Sequence, residues 1–145
     1  MENKATTLQL VNMEVLNVRL NKPETKLPDN MVFNYNVYLK HQLNPENKII
    51  NVIASIFVLH EDKETELGFI QTACAYKIED LNEYVKDETN EVSLPEGIIN
   101  TLNAASISTS RGIMFSQFRG TFLHKAQLPL VDPSGFKKSD RKSVV

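Results

Sequence analysis

The side chains here able to bind a metal, attack a substrate or move a proton are few and scattered. His41, His60 and His124 fall on different segments, and no HxxxH, CxxC, GxSxG or glycine-rich phosphate loop occurs. His60-Glu61-Asp62 sets three ligand types in a row, but inside the charged run HEDKETE, which reads as a solvated hairpin turn rather than a metal site. The single cysteine, Cys74, lies in an alternating apolar segment, where a thiol behaves as a small buried hydrophobe. These residue types predict a protein that is not an enzyme and uses no metal or cofactor.

The segments that would carry such residues read first as strands. From Met31 to Leu39 the apolar residues Met31, Phe33, Tyr35, Val37 and Leu39 alternate with Asn34, Asn36, Tyr38 and Lys40, a period of two. Leu8 to Leu20 alternates with slips near Val11 and Leu16, which predicts a bulge or strong bend in a long first strand. Ile49 to His60 is apolar on both faces and so should be covered on both. A fourth strand, Leu67 to Ile78, follows the EDKETE turn, and NPEN joins the second strand to the third; short turns predict antiparallel neighbours. The acidic run from Glu79 to Glu91 reads as a connecting loop.

A helix follows. Ser93 with Glu96 three residues later, and Pro95 in the first turn, forms a capping-box pattern. Between Gly97 and Phe118 the only charge is Arg111, so this helix has no charged stripe to present to water. Ile98, Ile99, Leu102 and Ile113 fall on one side, with Ile107, Met114, Phe115, Phe118 and Phe122 broadly opposite. Between them Ala104, Ser108, Gly112, Ser116 and Gly120 form a row of small residues that lets a neighbour come close. Two apolar sides require two things to pack against, and one sheet supplies one. The pattern predicts oligomerisation, with Ile107, Ser108, Gly112, Met114, Phe115, Ser116 and Phe118 at the subunit contact.

Past the helix the sequence RGTFLHKAQLPLV, Arg119 to Val131, is more apolar than a surface loop should be. Gly120 reads as the end of the helix and Arg119 as a cation at its C-terminus. The Arg119-Gly120-Thr121-Phe122 segment, the proline-bearing apolar loop through Leu128-Pro129-Leu130-Val131, and Phe136 beyond it resemble the SecB family of protein-export chaperones. The upstream plan of four strands and a long helix extends that resemblance over roughly residues 8–136.

The resemblance implies an α+β fold: a four-stranded antiparallel sheet packed by one long C-terminal helix and a second helix after the loop, which Pro133 and Gly135 leave short or vestigial in this chain. It implies a homotetramer, a dimer of dimers with helices layered between sheets, acting as an ATP-independent holdase for unfolded or nascent polypeptides. Candidate polypeptide-binding residues are Phe122, Leu123, Leu128, Leu130 and Val131, with Leu27 in NKPETKLPDNM as the opposite wall. A dedicated interaction module on the same scaffold, serving one partner as in toxin–antitoxin systems, is the alternative. Export members of the family hand clients to the SecA motor. This chain departs from them in its mild net charge of −2 and in Pro133 and Gly135, which interrupt the segment where the second helix would lie.

Composition sets the remaining bounds. With 145 residues, 41% hydrophobic and 23% charged, the chain can bury one core, which predicts a single domain over 1–136. Residues 137–145 carry four cations against Asp140, a net +3 that leaves −5 for the rest of a chain at −2, and read as a flexible basic tail. No basic-then-apolar leader opens the chain and no run spans a bilayer, so it reads as cytoplasmic, without nucleic acid or membrane insertion.

Overall fold

The computed structural model describes residues 7–84, 93–130 and 141–144. Strands β1 (Leu8–Leu20), β2 (Asn34–Asn44), β3 (Ile49–Leu59) and β4 (Glu66–Ile78) form an antiparallel sheet, and helix α1 (Glu96–Phe118) packs on one face. A fifth short strand, β5 (Arg141–Val144), adds to the β2 edge and completes the order β1-β4-β3-β2-β5. The architecture is α+β, as the alternation and the following helix predict.

The turns explain the meander from β2 to β4. Pro45–Asn47 forms a 3-10 turn closed by Lys48 in the left-handed region at φ 58°. In the β3–β4 turn, Asp62 Oδ1 accepts hydrogen bonds from the backbone N–H groups of Glu64 and Thr65, both at 2.8 Å, and Oδ2 accepts from the Thr65 hydroxyl. These bonds, the Thr65 hydroxyl first, hold the Asp62 carboxyl down at about 2. β1 pairs with β4, so residues 21–33 must cross from one sheet edge to the other. The register of β1 slips between Leu10 and Asn12 and again between Val15 and Asn17, putting bulges at Val11 and Leu16 as the broken alternation predicts.

The core lies between sheet and helix. Ile50, Val52, Ala54, Ile56 and Val58 of β3 are fully buried under it. Coverage of β3 on both faces, expected from its apolar pattern, is not found among the described residues. On the outer face Tyr38, Phe57 and Phe69 pack on one another, with ring centroids 5.8 and 4.6 Å apart, and the Arg19 guanidinium sits 4.2 Å above Phe69. Neighbouring aromatics and an arginine stem thus shield the apolar residues of that face.

Helix α1 begins without the expected capping box. Pro95 is the N-cap, at ψ 146°, and no side chain caps the helix; the Pro95 carbonyl accepts from the N–H groups of Ile98 and Ile99. Ser93 instead donates its own N–H to the Tyr84 carbonyl. The extended backbone at Pro95 starts the helix two residues past Ser93, too late for its hydroxyl to act as the cap.

Which side of α1 faces the sheet was unreadable from its composition, and the structure decides it with polar residues. Thr72 and Ser110 hydroxyls meet at 2.7 Å, Tyr76 and Ser106 at 2.8 Å, and His41 Nε2 lies 2.7 Å from Asn103 Oδ1. The Ser110 hydroxyl donates to the Ser106 carbonyl, so it accepts from Thr72. Interleaved with this row, Ile99, Leu102, Ile107, Met114 and Phe118 are buried. Ile107, Met114 and Phe118, expected at a subunit contact, therefore belong to the chain's own core. Their azimuth on the helix lies next to that of Ser106 and Ser110, which the sheet's hydroxyls draw inward.

The expected free tail is also revised where it is described. Arg141–Val144 pairs antiparallel with Tyr35–Tyr38, with Val144 opposite Tyr35 and Arg141 opposite Tyr38. An edge strand offers unpaired backbone groups, and a four-residue extended segment satisfies some of them.

Candidate functional site

The apolar loop after α1 is built by turns that satisfy its own backbone. Arg119 at φ −60°, ψ 131° and Gly120 at φ +80° form a type II turn, closed by the Thr121 N–H donating to the Phe118 carbonyl at 3.1 Å. Gly120 is required there by its positive φ. The Thr121 hydroxyl donates to the same carbonyl at 2.7 Å and accepts from the Leu123 N–H at 3.1 Å. The Thr121 carbonyl in turn accepts from the His124 N–H and, at 3.0 Å, from Nδ1 of its ring, which sets the Nδ1–H tautomer. A loop whose polar backbone is paired locally can carry apolar side chains.

Those side chains divide into two sets. Leu123, Ala126 and Leu128 are buried in the core, so Leu123 and Leu128 are corrected from binding residues to packing residues. Leu123 enters a notch in β4 at Gly68, where a Cβ would collide with Leu123 Cδ1. That pairing had no sequence signal beyond a glycine inside a strand. Arg111 ties the loop down: Nε donates to the Leu128 carbonyl at 2.8 Å and an NH2 to the Pro129 carbonyl at 3.1 Å. The Gln127 N–H reaches the Tyr35 hydroxyl of β2, whose pKa burial pushes up to about 12.

The second set stays accessible. Phe122 meets Leu27 across a half-open groove of about 160 Å³, floored by Met31 and Phe33 and rimmed by Lys26 and Lys125. The two walls expected from separate parts of the sequence, the 21–33 crossover and the 119–130 loop, do come together. Beside the groove, sharing His124, lies a wider depression of about 520 Å³ lined by Phe115, Arg119, Gly120 and Thr121. Leu130 is 90% exposed at the end of the loop. Val131 lies outside the described residues, as do the segment expected to hold a second helix and Phe136.

Next to this site the outward side of α1 carries Ser108, Gly112, Phe115 and Ser116, all exposed, with Phe115 53% accessible. Those four members of the expected subunit contact remain together on one face. The helix-side face of β1 continues the apolar surface. Leu10, Met13 and Val15 stand opposite Tyr76, Cys74 and Thr72, all buried, yet they are themselves exposed, Met13 to 56%. α1 lies over β3 and β4 and leaves this strip of β1 open.

Among the described residues no three His, Cys, Asp or Glu side chains converge as a metal site. His60 Nδ1 accepts the Asp62 N–H within the turn, and Glu61 accepts the Val32 N–H of the 21–33 crossover, so these side chains hold local backbone. Burial raises the Cys74 thiol pKa, against contacts from Tyr76 and Ser106, which keeps it from acting as a thiolate. No described helix is long and apolar enough to cross a membrane.

No family profile and no curated protein matches the chain by sequence. Among solved structures, it is similar to the SecB-like chaperone Rv1957 of Mycobacterium tuberculosis in complex with a ChAD peptide from the HigA1 antitoxin Rv1956. The match has a TM-score of 0.57 at 10% identity and covers 86% of this chain and 89% of that one. The fold is therefore SecB-like.

Proposed function

We propose that this chain is a chaperone that binds extended apolar polypeptide, without ATP, in the groove between Leu27 and Phe122. The observation that carries the reading is that groove: two segments 95 positions apart in sequence meet around an open apolar slot, in a fold shared with a peptide-binding chaperone. A groove of this kind grips alternate side chains of a strand-like client and asks little of its sequence. Phe115 and the depression beside it extend the surface along the client, and Arg111 positions the loop by holding two of its carbonyls.

The working form in this reading is a homo-oligomer, a dimer of dimers with helices layered between sheets. The apolar strip of β1 and the small-residue side of α1 are the surfaces it would cover, since exposed apolar area of this continuity marks an interface. The site of action is the cytoplasm. SecA docking has weaker support, because the outer sheet face around Tyr38, Phe57 and Phe69 presents Arg19 and Lys40 where export members present acids.

The test is suppression of aggregation of an unrelated unfolded protein at stoichiometric amounts, with Phe122→Asp as the paired variant. Wild type should suppress and the variant should not; equal behaviour of the two refutes the groove. A second reading is a dedicated chaperone for one partner. The modest groove, about 160 Å³, favours it, since that space holds one or two side chains. Capture of a single partner rather than many nascent chains would select it.

A further inference from the structure

We propose that strand β5 is an internal competitor: it occupies in cis a strand-addition slot on the β2 edge that a bound polypeptide uses when it extends out of the groove. This rests on the groove reading above and adds its regulation. Two observations converge. First, Met31 and Phe33, the groove floor, run directly into β2, and Tyr35 is held by the Gln127 N–H of the loop that forms the opposite wall. A client lying in the groove is thus led onto the strand that follows it.

Second, the slot is taken. Arg141–Val144 pairs antiparallel with Tyr35–Tyr38, the first residues of β2 beyond the groove, so client and tail compete for the same backbone N–H and C=O groups. Four residues of edge pairing, at a modest net gain per hydrogen bond, imply a docked-to-free ratio on the order of 10, so freeing the slot should tighten client binding about tenfold.

The experiment uses the full chain and a Lys142→Pro, Ser143→Pro double variant. Alternate N–H groups of an edge strand face its neighbour, so two adjacent prolines remove one whichever way β5 is phased. Amide hydrogen exchange of residues 34–44 is measured alongside binding of reduced, carboxymethylated α-lactalbumin, a permanently unfolded probe. The proposal expects the variant to lose protection within 35–38 and to bind the probe about tenfold tighter. It also expects a free peptide of residues 137–145 to restore that protection and weaken probe binding. Unchanged exchange at 35–38 overturns it, as does lost protection with probe affinity unchanged or reduced. If neither form binds the probe, the chaperone reading fails and the competitor role with it, while restored protection by the free peptide still upholds the slot itself.

Discussion

Gly112→Ala separates what one chain needs from what an assembly needs. Gly112 lies in the interior of α1, exposed, without a positive φ, and a Cβ there meets nothing within 4 Å. Within one chain the substitution removes no contact and relieves the helix penalty of glycine, about 1 kcal/mol against alanine. For a domain of this size that corresponds to a rise in melting temperature of about 4 °C. If the row Ala104, Ser108, Gly112 and Ser116 is where the helices of two subunits approach, the same methyl is an intrusion. Overpacking costs about 1–3 kcal/mol, and about 1.4 kcal/mol is tenfold in a dissociation constant, so association should weaken by tenfold or more. Sedimentation equilibrium over a dilution series, with melting at concentrations where the chain is monomeric, reads both signs. A higher melting temperature with unchanged association would refute the small-residue contact, and a lower one would refute the placement of Gly112 on the open side of the helix.

Three further outcomes are expected. Gly68→Ala drives a methyl into Leu123 and should cost about 1–3 kcal/mol in urea unfolding, whereas the Leu123→Ala cavity costs about 2–5 kcal/mol; the double variant should be less destabilised than the sum, and strict additivity would deny the contact. Arg111→Met removes two hydrogen bonds to the loop, about 1–2 kcal/mol, and should raise hydrogen exchange in 121–130 with the β3–β4 ladder unchanged; Arg111→Lys should fail to restore it, because one ammonium cannot reproduce the two-pronged grip. Tyr35 and Tyr76 are both raised to about 12, chiefly by burial. The fold favours their neutral forms, so the stability they contribute is intact below about pH 10, the ordinary tyrosine value, and is lost as pH climbs towards 12. Tyrosinate absorbance of these two residues should therefore rise together with loss of far-UV circular dichroism, and ionisation near pH 10 in a folded chain would contradict their burial.

Much of the fold is legible along the chain because a half-buried strand writes a period of two. Tyr35, Val37 and Leu39 are buried where the alternation put them, and the slips at Val11 and Leu16 are the two bulges of β1. The groove is legible in outline, since Phe122 and Leu27 stand out as apolar residues in turn-rich segments, and the structure places them face to face. The helix is where reading stops. An α-helix with almost no charge has no stripe to mark its inward side, and Asn103, Ser106 and Ser110, which look like residues for water, face the core. Their partners Tyr76, Thr72 and His41 come from two strands, 30, 38 and 62 positions away in the pairs they make.

The loop shows the same limit at the scale of single side chains. Phe122, Leu123 and Leu128 are equally apolar in sequence, yet Phe122 lines a groove while Leu123 fills the notch at Gly68 and Leu128 lies under the Arg111 clamp. Sequence by itself determined the strands, the bulges, the uncharged helix and the apolar loop, because each is a local pattern of side-chain chemistry set by backbone period. Tertiary structure alone decided which apolar residues are core and which are surface. That depends on where another segment happens to offer a cavity or a hydrogen bond, and such partners are fixed by packing across the chain rather than by neighbours along it.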